Sequence, residues 1–466
     1  MKHKILYYST NRNLTNVPGI VPFKERVTFR EALLQGQAPD EGLFMPDGIP
    51  RIPREDITAL NGKSYIETAM LIAGAFLNSE IDPGVLRGII EDAYSFTVPL
   101  QQVTDRKYVM RLDQGPTASF KDFAARMMAR LMSHFRDQEK ILHVLVATSG
   151  DTGSAVGEAF KGVEGIDVNI LYPRDEVSER QKKQLDTIGG NVSALSIDGK
   201  FDDCQNLVKQ AFSDPSLDFL SFTSANSINF GRILPQMIYY FYAYAQLGRA
   251  GEEIVISVPS GNFGNALGCE YAKRMGLPVK KLIMPTNEND EFPRFMKEGI
   301  YEKLSPSAAC ISNAMNVGHP SNLARFFELY NGTVDRTGTV HQYPDIDAMR
   351  ETIFSVSVSD EETRECIKNT YEKYGVVLEP HGAVGWRGLE IYLEQHGDFP
   401  LCVSLETAHP AKFSDEVVEL LGITPTLPES MRGIDERKGE SAELPSDYKV
   451  FKEYLQDTLK TGVRST

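Results

Sequence analysis

The chain has few cysteines and no long apolar run. Its cysteines are odd in number, widely spaced and nowhere paired as C-x-x-C: Cys204, Cys269, Cys310, Cys366 and Cys402. This pattern argues against a disulfide framework and favours reduced thiols. The start, MKHKILYYSTNRN, turns polar before any apolar core of signal-peptide length, and no later segment approaches a membrane span. We therefore expect a soluble, cytoplasmic protein without a membrane partner.

Several catalytic signatures are also missing. No set of His, Cys, Asp and Glu residues has the spacing of metal ligands, and no G-x-S-x-G elbow occurs. The sequence thus predicts no metal site and gives little support to a serine-hydrolase mechanism. The formal net charge of -15 argues against nucleic acid as a partner. An anionic small molecule stays compatible with this charge, because local basic and backbone donors override it.

What the chain does have is length and a recurring α/β pattern. Its 466 residues, 41% of them hydrophobic, suffice for two or three domains. Four segments, starting at His143, Ile254, Val376 and Leu401, each read as a β-branched run, a glycine-containing turn and a helix. This alternation predicts an α/β fold with mostly parallel sheets. If the strands share a sheet edge, the four turns face one ligand zone.

The two ends of the chain differ from this middle part. Residues 29–35 and 65–77 have helical patterns with Pro and Gly between them, which predicts a separate N-terminal domain. The polar stretch 425–445 is typical of a loop, and residues 448–459 of a last helix. Neither end contains an evident catalytic cluster.

Lys121 lies at the start of a predicted helix. In GPTASFKDFAARMMARLM, small hydroxyl residues precede apolar residues at helical spacing, and Ser119 is the expected cap. The positive end of the helix dipole and an apolar setting would both favour the neutral amine, which Schiff-base chemistry requires. The alternative is a lysine on a solvated helix face, as most lysines are.

A glycine-rich turn, PSGNFGNALG at 259–268, follows a run of β-branched residues and leads into a helix. Its glycines let the backbone approach an anion while N–H groups and the helix dipole point at it. The turn lacks both the G-x-G-x-x-G and the G-K-[ST] nucleotide signatures, so a phosphorylated cofactor without a nucleotide fits better. A turn without any ligand is the alternative.

Two further turns carry hydroxyl groups at predicted strand ends. TSGDTG at 148–153 is suited to a substrate carboxylate, although Asp151 would repel that anion unless it points away or caps the helix. In ETAHPAKF, the hydroxyl of Thr407 could bond a heterocyclic nitrogen without donating a full charge. For His381 and His409, in similar turns, we favour a structural role.

The segment SANSINFGRILPQ, from Ser224, gathers amides and one cation before a long apolar helix. Arg232 and these amides could hold a second phosphate. The aromatic residues of the helix itself are more typical of core packing than of a stacking site.

Taken together, the motifs resemble those of the threonine synthases, in the long-chain branch of bacteria and fungi. The resemblance runs almost end to end, through TFREALLQGQAPDEGLFMP, GPTASFKDFAARMM, ATSGDTGSA, ILYP, SANSINFGR, VPSGNFGN, SNAMNVGHPSN, EPHGAVGWR and TAHPAKF. It implies the tryptophan-synthase-like fold (fold type II): two doubly wound, mostly parallel sheet domains plus an N-terminal domain. It also implies pyridoxal 5'-phosphate as the cofactor.

The resemblance assigns roles to individual residues. Lys121 becomes the Schiff-base lysine, and Thr407 the partner of the pyridine nitrogen. The turn that binds the cofactor phosphate consists of Gly261, Asn262, Phe263, Gly264 and Asn265. The expected substrate-carboxylate residues are Thr148, Ser149, Asp151 and Thr152. The expected substrate-phosphate residues are Ser224, Asn226, Asn229 and Arg232.

The implied activity converts O-phospho-L-homoserine and water to L-threonine and phosphate, in a monomer or homodimer. The expected domains are residues 1–95 and a catalytic region 96–466, which divides into a small mobile domain at about 135–221 and a large one formed by 96–134 and 222–466. A serine or threonine dehydratase of the same fold and a non-catalytic relative that binds phosphorylated metabolites are the alternatives.

Overall fold

The structure, a computed structural model, describes residues 4–459 except 16, 149, 178, 398 and 435, and leaves out the side chain of residue 180. Its strands are β1 (Tyr7–Ser9), β2 (Phe44–Pro46), β3 (Leu100–Thr104), β4 (Lys107–Arg111), β5 (Leu142–Ala147), β6 (Ile166–Pro173), β7 (Val192–Asp198), β8 (Ser221–Thr223), β9 (Ile254–Ser257), β10 (Val279–Thr286), β11 (Thr333–Val334), β12 (Val340–Gln342), β13 (Ile353–Ser357), β14 (Cys402–Glu406) and β15 (Ser441–Pro445).

Helices connect most of these strands. They are α1 (Phe29–Gln35), α2 (Arg54–Ala59), α3 (Tyr65–Leu77), α4 (Pro83–Ala93), α5 (Lys121–Phe135), α6 (Asp151–Phe160), α7 (Glu179–Asp186), α8 (Phe201–Phe212), α9 (Phe230–Leu247), α10 (Gly264–Met275), α11 (Glu291–Glu298), α12 (Leu323–Leu329), α13 (Ile346–Thr352), α14 (Asp360–Tyr374), α15 (Pro380–His396), α16 (Ser414–Leu421) and α17 (Tyr448–Thr458). Within the described part of the chain, no helix combines the length and apolar character needed to cross a bilayer.

The larger sheet has six strands in the order β13-β10-β9-β14-β4-β3, parallel except for β3. Its central strands are apolar on both faces. Val255 and Cys402 pack with Trp386 of α15 on one side, whereas Ile254 and Val403 join the main core on the other. Helices therefore cover both faces, as parallel strands of this composition require. The predicted α/β fold with mostly parallel sheets is confirmed.

The smaller sheet has five parallel strands in the order β15-β7-β6-β5-β8. The edge strand β15 departs from the expected division, in which all of 222–466 belonged to the large domain and 425–445 was a loop. Phe451 and Leu455 of α17 also pack on this sheet, with Leu145 and Leu171. The strand SAELP is only five residues long, and its partner β7 is distant in sequence, so pairing in the folded chain defines it. The other expected domain boundaries stay predictions.

Residues from the N-terminal part pack directly onto the catalytic region. Capping boxes at Thr28 and Ser64 fix the starts of α1 and α3, and both helices have the predicted bounds. The ring of Phe76 in α3 lies 6.2 Å from that of Phe230 in α9, and Leu33 belongs to the same continuous core. The predicted boundary near residue 95 thus crosses a shared core.

One of the four predicted strand-turn-helix units is wrong. Residues 375–379 form no strand, although Val376 and Leu378 are buried beside the larger sheet. The segment links α14 directly to α15, so these apolar residues fill space without pairing in a ladder. The other three units lie on two sheets, with β5 in the smaller and β9 and β14 in the larger, so their turns do not share one sheet edge.

Candidate active site

Lys121 is the first residue of α5, as predicted. The expected cap at Ser119 is wrong: Phe120 occupies the cap position, and no side chain bonds the end of the helix there. Instead, residues 118–120 pair with the chain that follows β14. Phe120 donates its N–H to the carbonyl of Thr407 at 2.9 Å, and Ser119 forms a bridge with Ala408. This pairing fixes Lys121 beside the end of the larger sheet.

A buried cluster of charges surrounds the Lys121 amine. Asp151 at the start of α6 places Oδ2 3.7 Å from Lys121 Nζ, and its Oδ1 lies 2.7 Å from Lys412 Nζ. Burial lowers the pKa of Lys121; Asp151 opposes this effect, and Lys412 and Arg232 add to it. The result favours the neutral amine that Schiff-base chemistry needs.

The same cluster has the opposite effect on Asp151. Burial by itself raises the pKa of this carboxyl, but Lys412 and Lys121 outweigh burial and hold the pKa well below its usual range. Asp151 is therefore an anion, stabilised by two lysines and by its place at a helix N-terminus. This arrangement resolves the expected conflict between Asp151 and a substrate carboxylate, because its charge is already paired.

Sequence reasoning missed Lys412. The residue lies in the short 3-10 turn after β14, five positions beyond Thr407, within the TAHPAKF motif. Only 4% of its side chain is exposed. The available signal was a lysine next to apolar residues in a strand-end turn that already held a predicted ligand.

The hydroxyl group of Thr148 closes the turn that begins at this residue. Thr148 Oγ1 accepts from the N–H groups of Gly150 and Gly153, and Gly150 has the positive φ of 132° that this path needs. Thr152 is half-buried. The predicted contribution of Ser149 lies outside the described residues. The turn thus presents the start of α6, with Asp151 already committed to lysines.

The glycine turn from Gly261 to Asn265 is held against the segment 313–322. Phe263 caps α10 with a left-handed φ of 62° and packs its ring 4.9 Å from that of Phe292. A Cβ at Gly261 would lie 2.9 Å from the carbonyl of Ala314, so only glycine fits. No acidic residue occurs in the first turn of α10. Its free N–H groups therefore form an uncompensated positive helix end.

The side chains of both asparagines in this turn accept hydrogen bonds from other parts of the protein. Asn262 Oδ1 accepts from the N–H of Ser321 at 3.2 Å. Asn265 Oδ1 accepts from the hydroxyls of Tyr239 and Tyr240, each at 2.5 Å. Asn265 Nδ2 is buried and has no hydrogen-bond partner among the described residues. The side chains thus hold the turn in place while one amide donor stays available.

Helix α9 connects the separate predicted parts. Gln236 donates to the carbonyl of Arg232 and lies beside Gly264, whereas Tyr239 packs 5.5 Å from Phe123 of α5. Helix α9 thus contacts both the helix that follows the glycine turn and the helix that begins with Lys121.

Thr407 is buried and donates to Glu379 Oε1 at 3.3 Å. Glu379 caps α15 by accepting from the N–H groups of His381 and Gly382. His381 Nε2 accepts from the N–H of Ala314, so its proton lies on Nδ1 and points at Glu379. His381 therefore has the expected structural contacts. Because the hydroxyl of Thr407 donates its single proton to Glu379, its lone pairs can accept only from a second partner that carries a proton, such as a protonated ring nitrogen.

The expected substrate-phosphate residues divide into two groups. Asn229 caps α9 and donates to the carbonyls of Leu33 and Ser224, so its side chain is fully used. Arg232 is buried, bonds the carbonyl of Ala225, and has no partner at Nε among the described residues. Asn226 Oδ1 is likewise unpartnered. Burial lowers the pKa of Arg232 to about 10, and an anionic ligand beside it would stabilise its protonated form.

These residues fit pyridoxal phosphate. The glycine turn offers a helix N-terminus without acidic residues, Lys121 offers a buried amine, and Asn265 offers a buried unpartnered donor. Over the same described residues, no group of three or more His, Cys, Asp or Glu side chains is placed to hold a metal ion.

Family models match three consecutive parts of the chain. Residues 97–400 match "Pyridoxal-phosphate dependent enzyme", which covers more than half of the chain. Residues 21–94 match "Threonine synthase N terminus", and residues 382–455 match "Threonine synthase, C-terminal". The glycine turn and Lys121 both lie inside the first of these matches.

Individual relatives agree with the models. The chain is 40% identical over 438 residues to threonine synthase of Haemophilus influenzae, covering 93% of this chain and 97% of the relative. Its structure is similar to that of pyridoxal-phosphate-bound threonine synthase from Brucella melitensis, with a TM-score of 0.87, 35% identity and coverage of 97% and 99%. The yeast threonine synthase structure gives a TM-score of 0.86 at 32% identity, with coverage of 97% and 98%.

Proposed function

Because the chain belongs to the threonine synthase family of pyridoxal-phosphate-dependent enzymes, we propose that it converts O-phospho-L-homoserine and water to L-threonine and phosphate. Pyridoxal phosphate is its cofactor, and its reaction class is that of a lyase in amino-acid biosynthesis. The observation that carries the proposed chemistry is the Lys121 amine, whose side chain is only 14% exposed and whose pKa is lowered by burial.

Each part of the cofactor has a proposed partner in the chain. When bound, pyridoxal phosphate supplies a conjugated ring that stores the electrons released as substrate C–H bonds break. The backbone N–H groups of Gly261 to Asn265 would hold its phosphate, and Thr407 would bond its ring nitrogen. Lys121 would bind the cofactor covalently as a Schiff base. The left-handed φ of Phe263 and the close approach of Gly261 to Ala314 support the phosphate role.

Lys121 would then act as the base of the reaction. Once the substrate amine has replaced it, its neutral Nζ can take a proton from Cα and later one from Cβ. Loss of the γ-phosphate, return of one proton to Cγ, addition of water at Cβ and return of the other proton to Cα complete the conversion. Burial of Lys121 supports this role, because an exposed lysine stays protonated at neutral pH.

The substrate is proposed to bind between two anion sites. The turn formed by Thr148, Ser149, Asp151 and Thr152 would orient its carboxylate through the N-terminus of α6. Among Ser224, Asn226, Asn229 and Arg232, the unpartnered Nε of Arg232 best supports contact with the phosphate because it is a donor, whereas the unpartnered atom of Asn226 is the acceptor Oδ1. Asn229 would act indirectly, by fixing the start of α9.

We further propose that the small domain closes over the substrate, since excluding water would protect the elimination step. Asp151 and Lys412 support this view, because they join the two sheet regions across the site. Unchanged small-angle scattering and hydrogen exchange upon addition of a non-reactive substrate analogue would argue against closure.

Two further proposals concern the cellular compartment and the oligomeric state of the enzyme. All five cysteines are buried, and none of them forms a disulfide in the described structure, which supports a reducing compartment and hence the cytoplasm. The assembly is proposed to be a monomer or a homodimer, and sedimentation velocity at two concentrations would distinguish them.

The decisive test is an assay with O-phosphohomoserine beside serine and threonine controls. We expect equal amounts of phosphate and threonine. Formation of a 2-oxo acid and ammonia from serine or threonine would instead identify a dehydratase. A colourless protein that releases neither product would identify a non-catalytic relative.

Lys121→Ala tests the central residue. Because no other amine can take its place at the start of α5, activity should fall at least about a thousandfold. Borohydride reduction followed by peptide mapping should locate the cofactor on Lys121 in the unmodified chain. The control is Lys161→Ala at an exposed position, which should leave both results unchanged.

A further inference from the structure

Lys412 is a buried cation without a role in the proposed reaction. Its Nζ lies 2.7 Å from Asp151 Oδ1 and donates to the carbonyl of Thr117 at 3.2 Å. Thr117 in turn donates through its hydroxyl and N–H to Asp122, the neighbour of Lys121. Lys412 is therefore fixed both to the loop before α5 and to the first residue of α6.

Asp151 lies between two lysines and is closer to Lys412 than to Lys121. Its oxygen facing Lys412 is in contact, whereas the other is 3.7 Å from Lys121 Nζ. A carboxylate that lost Lys412 would find its strongest remaining partner in Lys121. A shorter ion pair would further stabilise the ammonium form of Lys121, which can neither form the cofactor linkage nor accept a proton.

We propose that Lys412 is a positioning residue that holds Asp151 in the shorter of its two ion pairs, so that the pair between Asp151 and Lys121 stays long and weak. The proposal rests on the proposed function only in assigning chemistry to Lys121.

The other charges around Lys121 come from several elements. Besides Asp151 and Lys412, Arg232 of α9 and Glu379 at the start of α15 act on Lys121, and His381 acts on Asp151. Arg232 and Glu379 have opposite charges and would remain in any variant of Lys412. Removing Lys412 therefore changes two effects in the same direction: a repelling cation is lost, and Asp151 becomes free to approach Lys121 more closely.

The test measures the ionisation of Lys121 without turnover. Full-length protein freed of cofactor is acylated with acetic anhydride across a pH series, and mass spectrometry gives the extent of labelling at Lys121 relative to exposed Lys161. Lys412→Met should raise the labelling midpoint of Lys121 by about one pH unit. Lys412→Arg, which keeps the charge, should restore most of the original midpoint.

The double variant identifies the route. In an Asp151→Asn background, Lys412→Met should shift the midpoint by less than about half a pH unit, because no carboxylate is left to release. A full shift in that background, or no shift in the single variant, would overturn the proposal. If Lys412→Met fails to fold by circular dichroism, Lys412→Gln replaces it, because glutamine removes the charge but can still donate to Asp151. A Lys121 midpoint unchanged from the original protein would then overturn the proposal.

Labelling also separates this proposal from the proposed function. A chain that shows the expected shift but makes no threonine would refute the proposed function alone. A chain that makes threonine without the shift would refute the role of Lys412 alone. In active protein, Lys412→Met should also move the lower limb of the kcat/KM pH profile upwards, whereas a purely structural role would lower stability without moving it.

Discussion

Asp151 and Glu291 are two buried carboxylates in equivalent local positions. Each is the first residue of a helix that follows a parallel strand, α6 after β5 and α11 after β10. Asp151 has two lysine partners, which hold its pKa well below the usual range. Glu291 Oε2 has no partner among the described residues, and burial raises the pKa of this residue to about 8.

The pKa values of the two carboxyl groups differ because different side chains face the two helix starts. The start of α6 faces the turn after β14, which brings Lys412. At the start of α11, the nearby cation Arg294 bonds Asp290 instead of Glu291. A helix N-terminus alone thus does not keep a buried carboxylate ionised, because desolvation exceeds the dipole effect of about 0.3–1 kcal/mol.

The largest expected effect comes from removing the paired carboxylate. Asp151→Ala leaves Lys412 buried without a counter-charge and should lower the free energy of unfolding by about 3 kcal/mol. Urea denaturation measures this change. The control Asp175→Ala removes a side chain that is 82% exposed and should cost less than about 0.5 kcal/mol. Equal costs for both variants would contradict the comparison.

A third helix start, that of α10, has no acidic residue and is the proposed phosphate site. Gly264→Asp would place a carboxylate there and should weaken pyridoxal phosphate binding on the order of a hundredfold, through charge repulsion. Equilibrium dialysis measures the Kd.

Gly264→Ala is the matched control for steric effects. Its Cβ would lie at least 3.6 Å from other atoms of the protein, so the fold should tolerate it. If alanine weakens binding as much as aspartate does, bulk rather than charge governs this helix start.

Glu291→Gln tests the unpaired carboxylate and has the smallest expected effect. The unfolded chain ionises this group from about pH 4.5, whereas the folded chain keeps the proton until about pH 8, so stability falls as pH rises across that window. The glutamine variant should lack this fall and exceed the original protein above pH 8 by on the order of 2 kcal/mol.

Chemical denaturation at pH 5 and pH 8.5 measures the effect of Glu291→Gln. Glu298→Gln, exposed near the other end of the same helix, should change neither value. A glutamine variant that keeps the pH-dependent fall would assign it to another group.

Much of the fold follows from local patterns. The bounds of α1 and α3 are predictable because Thr28 with Glu31 and Ser64 with Glu67 form capping boxes ahead of apolar periods. Strand β15 was not predictable from a local pattern, because its pairing with β7 depends on residues about 250 positions away in the chain. The strand expected at Val376 failed for the converse reason: apolar residues there are buried without a ladder partner.

The residues of the candidate site can likewise be divided into those that the sequence reveals and those that only the folded structure reveals. Lys121, the glycine turn and Thr407 are visible in the sequence, because each lies in a motif whose turn chemistry is local. Lys412 is not visible, since its importance depends on Asp151 from the other sheet. The sequence also offered Ser119 as a cap, but the pairing of residues 118–120 with 407–409 replaces that local contact.

By itself the sequence determined the α/β class, the helix starts with capping boxes and the family, because these depend on residues close together or on motif order. The tertiary structure alone decided which charges are neutralised: Asp151 by Lys412, Glu291 by none in the described chain. Electrostatic effects on buried groups depend on distances of a few ångströms between residues remote in sequence, and only the folded chain sets those distances.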